Sequence, residues 1–362
     1  MPAVDDARRL AEEILFPDAD AIDAAASVPR RYLDALGEAG LYDLPGERLE
    51  AARVIEALGG ASLVTAFVWI QHHSPVRAVA AAGGALAAEW LEPLRSGRRR
   101  AGIAYAALRR PGPPAAIAAP LSTADHPGSD HPGGGDTGGW MLSGHAPWVT
   151  GWGLVDVVMA GARCGDDMVW LLIDAIAGPG QQVTEVPLAA LAASATVRLE
   201  WDRMEVGADR VVGVEPYGDW RRRDMAGRAT NGYLAVGVAD RCARLLDSGV
   251  LAAEVDEVRD GLDRCTAGDV AERRAAASLL AVRAASAVVA AGGGRSVEAG
   301  ATAARLMREA MFLLVFGQSA DIREKQLAGL GYPRPAEGGN GSGVPGAGQE
   351  SEPAARSAAT AS

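Results

Sequence analysis

Trp148, Val149 and Thr150 place an indole, a β-branched side chain and a hydroxyl next to one another within Gly144–Asp156. Strand-like residues flank the segment, Trp140 and Leu142 before it and Val157–Ala160 after it. A flat aromatic face beside a hydrogen-bonding hydroxyl suits a planar, polar-edged cofactor such as a flavin ring. The same residues also suit an ordinary sheet core beside a turn. A second candidate is Asp125, His126, Asp130, His131 and Asp136, whose side-chain types bind metals but whose irregular spacing gives no rigid ligand set, so no metal is expected. His72 and His73 are adjacent on a helix and face different sides, which favours packing over shared ligation. No phosphate-binding loop, Gly-x-Ser-x-Gly elbow or His-Glu-x-x-His helix is present.

The chain that must position these groups has 362 residues, 49% of them hydrophobic, enough for two or three domains with a large core. Its net charge of −11 argues against nonspecific nucleic-acid binding, which needs a positive surface. The Arg98–Arg100 and Arg221–Arg223 runs are read as solvated charges at domain junctions. Cys164, Cys242 and Cys265 are far apart, so neither a zinc knuckle nor a redox dithiol is expected, and the low count suits a reducing cytoplasm. The N-terminus is acidic and lacks the apolar core of a signal peptide. No uncharged apolar run is long enough to span a bilayer.

Residues 1–100 read as helices. Leu10, Ile14 and Leu15 form an apolar stripe ended by Pro17; Pro29 opens a helix carrying Tyr32, Leu33, Leu36 and Leu41; Ala51–Leu58 and Ala61–Ala82 follow, the latter kinked or split by Pro75. Residues 101–213 carry short apolar runs, Ile103–Leu108, Met141–Leu142, Val155–Ala160, Met168–Ile173 and Thr196–Trp201, which predict an antiparallel sheet folded as a barrel or sandwich. Ser122–Gly139 is a Gly-, Pro-, Asp- and His-rich insert expected to be a mobile loop. Residues 214–333 return to helix, with Ala226–Leu246, Val270–Ala290 and Ala301–Leu330 expected to pack as a bundle and Gly292–Gly294 as a turn. Residues 334–362 lack aromatic residues, Leu, Ile and Met, and read as a disordered tail. The fold class is therefore α+β: a helical domain, a β domain, then a helical bundle. The βαβ alternation of a doubly wound sheet is missing.

The Trp148–Thr150 segment resembles the Gly-x-Lys-x-Trp-Ile-Thr-Asn…Ala-Asp stretch of the acyl-CoA dehydrogenase family. Pro17, Asp23, Pro29, Leu36, Gly40 and Leu41 follow the family's spacing in its first domain. Trp201, Met204 and Gly207 stand in a Phe-Asp-x-Val-x-Val-Pro-like segment that ends at Val212 and Gly213, and Arg228–Arg241, with Gly237, is similar to the helix opening the family's C-terminal bundle. The likeness covers roughly residues 8 to 330. It implies FAD as cofactor, with Trp148 against the ring, Val149 and Thr150 bordering its reactive face, and Thr150 near N5. It also implies Tyr105 at an aromatic site position and Leu108 where the family has a Thr that bonds the pyrimidine end, a bond a Leu side chain cannot make. The implied substrate is an acyl thioester on CoA or a carrier, dehydrogenated at its α and β carbons, and the implied assembly is a homo- or hetero-oligomer.

That chemistry needs a carboxylate base, and the family's positions for it are empty here. No Glu-Gly-Thr follows the last bundle helix, where the chain has Phe316, Gly317, Gln318, Ser319 and Asp321, and the second position falls on Gly227-Arg228. Asp224 is the nearest substitute, although an Asp ahead of a helix more often caps it. The Thr-Glu-Pro-x-x-Gly-Ser-Asp loop is replaced by Leu108–Pro113, where Arg109 and Arg110 could meet a phosphate or simply face solvent, and the Arg-x-x-Phe-Gly segment that grips FAD phosphates is not found. The catalytic residue is therefore unassigned. Two alternatives to a self-sufficient dehydrogenase follow: a base-less subunit completed by a partner chain, and a flavin monooxygenase on the same scaffold, which needs no α-carbon base.

Overall fold

The computed structural model describes residues 2–44, 46–109, 112–122 and 137–332. The insert residues 123–136, with all five candidate metal ligands, Arg110 and the whole 334–362 segment lie outside them.

Proline and glycine punctuate the N-terminal helices. Helix α1 (Pro2–Leu10) starts on a Pro, whose missing N–H costs nothing in a first turn, and runs on as a π-helical turn to Leu15. It buries Val4, Ala7, Leu10, Ala11 and Leu15. Short α2 (Ala19–Asp23) follows Pro17, and α3 (Arg30–Glu38) follows Pro29 with Tyr32, Leu33 and Leu36 inside. Then come α4 (Arg48–Ala61), α5 (Leu63–Ile70), α6 (His73–Ala82) and α7 (Gly84–Arg95). The expected helix 61–82 is split, as Pro75 implies, into α5 and α6. The break falls at Gln71–His72, because the ring of Pro75 cannot share space with the carbonyl four residues earlier, that of Gln71.

Eight strands follow among the described residues: β1 (Ala101–Ala104), β2 (Ala116–Ser122), β3 (Thr137–Val149), β4 (Val157–Cys164), β5 (Asp167–Asp174), β6 (Gln181–Glu185), β7 (Val197–Gly207) and β8 (Val211–Pro216). They form one sheet in the order β6-β7-β3-β2-β4-β5-β8, with β1 also on β4. The sheet is mixed rather than wholly antiparallel, since β1 pairs with β4 in parallel and β2 touches β4 in parallel at Ile117 and Arg163. Apolar runs announce strands but not the direction of their partners, and β1 reaches β4 only after two intervening strands rather than by a hairpin. The run Ile103–Leu108 is a strand only to Ala104; Ala106–Arg109 is a 3₁₀ turn. Ser122 and Thr137–Gly139, expected in the loop, are strand residues.

Alternation along β4 and β5 separates two layers. Val158, Ala160, Ala162, Val169, Leu171 and Ile173 face one cluster with Val149 and Trp201. Val157, Met159, Met168, Trp170 and Leu172 face another, with Tyr105, Leu108, Trp90 and Trp220 under α6 and α7.

The C-terminal helices are α8 (Tyr217–Gly227), α9 (Gly232–Leu245), α10 (Gly249–Asp263), α11 (Val270–Gly292), α12 (Thr302–Val315) and α13 (Ala320–Gly329). The expected 301–330 helix is thus divided at Phe316–Ser319, where Gly317 takes φ +60. α9 crosses α4 at bare backbone: a β-carbon on Gly60 would stand 2.5 Å from the Gly237 carbonyl oxygen. An 18-residue window of Val270–Val297 has mean hydropathy 1.7, long and apolar enough by composition to cross a membrane. Counting only uncharged runs misses it. α11 is nevertheless packed against α9, α10, α12 and α13, and buries the charged Arg274.

Candidate functional site

The availability of Trp148 is a consequence of strand pairing. β3 pairs with β7 as Ala146↔Leu199 and Val149↔Val197, three steps on one strand against two on the other. The extra residue is a β-bulge, and it resets the inward–outward alternation. Ala146 and Val149 both point into the sheet core, while Trp148 between them stands 46% exposed. Pro147 beside it has no N–H to leave unpaired. Val149 is sealed in the core, so only its backbone can reach a ligand.

Thr150 is buried at the end of the strand. Its Oγ1 lies 3.4 Å from Thr196 Oγ1, which is 2.8 Å from Ser194 Oγ. The first distance is long for a hydroxyl pair, so Thr150 keeps hydrogen-bonding capacity. Gly151 follows at φ +84, and a β-carbon there would meet Val68 of α5 at 3.4 Å.

Tyr105 and Leu108 sit in the other layer of the sheet from Val149. Tyr105 Oη is 3.0 Å from Ser74 Oγ, and its ring meets Trp170 and Trp220 edge-on at 5.0 and 6.2 Å. The Leu108 side chain is buried, and its carbonyl accepts from Tyr217 Oη at 3.0 Å.

Sequence reasoning misses a polar cluster built from distant parts of the chain. Asp224, on α8, accepts from Arg109 Nε at 3.0 Å to both oxygens and from Arg109 Nη2 at 2.7 Å. Arg228 adds Nε at 3.3 Å and Nη2 at 2.9 Å. Burial alone would push the Asp224 carboxyl up; the hydrogen bonds and charges of Arg109 and Arg228 outweigh it and hold it below the usual carboxylate range. Arg221 Nη1 donates to the Arg109 carbonyl at 2.8 Å. Arg274 on α11 donates to the carbonyls of Arg228 and Phe316 at 2.9 and 2.8 Å. These partners are up to 115 residues apart, and no local pattern announces them.

No sequence family and no characterised protein matches this chain by sequence. Solved structures do. Butyryl-CoA dehydrogenase of Megasphaera elsdenii superposes with TM-score 0.73 at 17% identity, over 91% of this chain and 96% of that one. A glutaryl-CoA dehydrogenase of Mycobacterium smegmatis, in complex with FADH2, gives 0.71 at 14%, over 91% and 93%. PigA with FAD and proline gives 0.73 at 18%, over 91% and 97%. The chain has the acyl-CoA dehydrogenase fold.

Within this acyl-CoA dehydrogenase fold five of the six arginines of the two basic runs pair with carboxylates of the same chain, and Arg221 donates to a backbone carbonyl instead. Arg98 pairs with Glu92, Arg99 with Asp156 at 3.1 Å and Arg100 with Asp34. Arg222 pairs with Asp219, and Arg223 with Glu215 at 2.7 Å. Among the described residues no three His, Cys, Asp or Glu side chains converge as metal ligands. Two cavities, of about 180 Å³ beside Asp20, Asp23, Arg305 and Arg308 and about 470 Å³ beside Arg8, Glu12 and Glu56, are lined by charges and do not include Trp148.

Proposed function

We propose that this chain binds FAD with the flavin ring against Trp148, and that it takes part in α,β-dehydrogenation of an acyl thioester carried on CoA or a carrier. One observation carries the reading: a bulge in β3 leaves Trp148 exposed, two residues before Thr150, whose buried hydroxyl has spare capacity. An open indole face stacks well on a flat heteroaromatic ring. Relatives of the same fold that hold FAD or FADH2 support it. When bound, the flavin supplies the acceptor for the hydride. Trp148 would hold and orient the ring, and the Thr150 hydroxyl would donate to a ring nitrogen. Tyr105 and Leu108 would contribute from behind, by fixing the Ala106–Arg109 turn rather than by side-chain contact.

A second reading has its own observation. The candidate base Asp224 is clamped by two guanidiniums, which makes it a weak proton acceptor. Asp321, the next carboxylate, is also held below the usual range: burial opposes this, and its Ser319 hydrogen bond, backbone N–H groups and Arg228 outweigh burial. That favours a subunit that shapes a flavin site while a partner chain supplies the base.

The deciding test is the visible absorbance spectrum of the purified chain, alone and after incubation with FAD. Bound flavin that is lost in Trp148→Ala, with the fold intact by circular dichroism, supports the cofactor site; equal flavin content in both proteins refutes it. A chain that takes up FAD yet leaves acyl-CoA unoxidised favours the partner-subunit reading.

A further inference from the structure

The arginines that the sequence offers for a phosphate are engaged within the chain. Arg109 is clamped on Asp224, and those of the two basic runs meet carboxylates or a backbone carbonyl. Arg198 on β7 differs: it is exposed and makes no ion pair or side-chain hydrogen bond among the described residues. Its neighbours Val197 and Leu199 are 3% and 0% exposed in the sheet core, so alternation aims Arg198 at the outer face.

Register brings Trp148 to it. Ala146 pairs with Leu199 and Val149 with Val197, so Pro147 and Trp148 together oppose the single Arg198. Opposed residues on a sheet face have β-carbons about 5 Å apart, within reach of two long side chains. On its other flank Arg198 pairs with Thr184 of β6. Thr196, two residues before Arg198 and so on the same face, has its hydroxyl 3.4 Å from that of Thr150. The next β7 residue on this face, Glu200, lies opposite His145 and Gln182 and forms no ion pair with Arg198. One face of the sheet thus lines up a hydroxyl pair, an open indole and an uncommitted guanidinium. An indole stacks on a flat ring, and a guanidinium takes a phosphate through two parallel N–H bonds. We infer that Arg198 binds the phosphate of a nucleotide whose ring lies against Trp148. This rests on the flavin ring proposed above; given that ring, Arg198 selects the phosphorylated flavins, FMN and FAD, over riboflavin.

The test is titration of FMN, FAD and riboflavin with the full chain, purified free of flavin, following the quenching of flavin fluorescence. All three share one ring system, and FMN differs from riboflavin only by its phosphate. The wild type should bind FMN and FAD at least about tenfold more tightly than riboflavin, the weight of a charge-assisted contact. Arg198→Gln should lose that margin with riboflavin binding unchanged. Arg198→Lys, which keeps the charge but not the planar fork, should keep part of it. Position 198 is exposed, so both variants should fold, and circular dichroism checks that they do. Trp148→Ala separates the ring from the phosphate, because it should weaken all three ligands alike. If Trp148→Ala changes none of them, or if no flavin is quenched at all, the ring site fails and the role of Arg198 with it. If Trp148→Ala weakens all three while Arg198→Gln leaves the ratio of FMN to riboflavin affinity at its wild-type value, or if the wild type shows no margin, the role of Arg198 alone is overturned.

Discussion

Asp224 is where a functional and a structural role can be told apart at a single side chain. Its side chain is 8% exposed and answers two guanidiniums. Asp224→Asn keeps the shape but leaves Arg109 and Arg228 without their charge partner, which costs about 3 kcal/mol when such pairs are buried. A structural tie therefore predicts a lower denaturation midpoint with flavin binding retained after mild refolding; a base would lose turnover with the midpoint unchanged, and that result would return Asp224 to the catalytic list. At this scale the sequence was only partly readable. Trp148 and Thr150 stand out because their types and adjacency are local. The exposure of Trp148 is not local: it depends on the pairing offset with Leu199 and Val197. Arg109 could be weighed only as a phosphate contact or a solvated loop, because its true partner is 115 residues away.

Between elements, His72 joins the helices to the sheet. Its Nδ1 accepts from the Ala101 N–H and its Nε2–H donates to the Leu94 carbonyl, both at 3.0 Å, so the end of α7 and the start of β1 are tied through one neutral ring. Burial, with the charge of Arg100 in support and the Leu94 hydrogen bond opposed, lowers its pKa to about 4. Between about pH 6.5 and 4 the unfolded chain therefore binds a proton that the folded chain refuses, so stability falls as pH falls through that window. At 1.36 kcal/mol per unit the His72 share reaches about 3 kcal/mol near pH 4. His72→Gln should show a shallower loss of denaturant midpoint from pH 7 to 4.5; a slope equal to wild type would mean that His72 does not carry the effect. Elements of this kind were legible in proportion to their periodicity. The helices and the Val- and Leu-rich strands announce themselves. β2, with its run Ala116–Pro120, and β6 do not, because Ala, Pro and Gln carry little strand signal and only their place beside β3 and β7 makes them strands.

For the whole molecule the open question is what completes it. The order of helices, sheet and helices follows from composition along the chain, whereas assembly depends on which apolar residues stay outside, and periodicity does not reveal that. α12 shows the difficulty: Phe312 and Phe316 turn inward to meet Phe67 at 4.7 and 5.1 Å, yet Met311 and Val315, one turn apart, are 45% and 62% exposed. Two apolar residues in line on one face of a bundle helix suit burial against another chain. If the chain works as an oligomer through this face, Val315→Glu should lower the molar mass measured by light scattering toward the 37.2 kDa of one chain, with circular dichroism unchanged, because an exposed site tolerates a charge in the isolated fold but not in an apolar interface. Mixing then separates the two assemblies. A homo-oligomer keeps its mass in the purified wild type, whereas a subunit awaiting a partner is monomeric alone and gains mass only when co-expressed with a chain that carries the missing carboxylate. An unchanged mass in Val315→Glu would exclude this face of α12 as the interface.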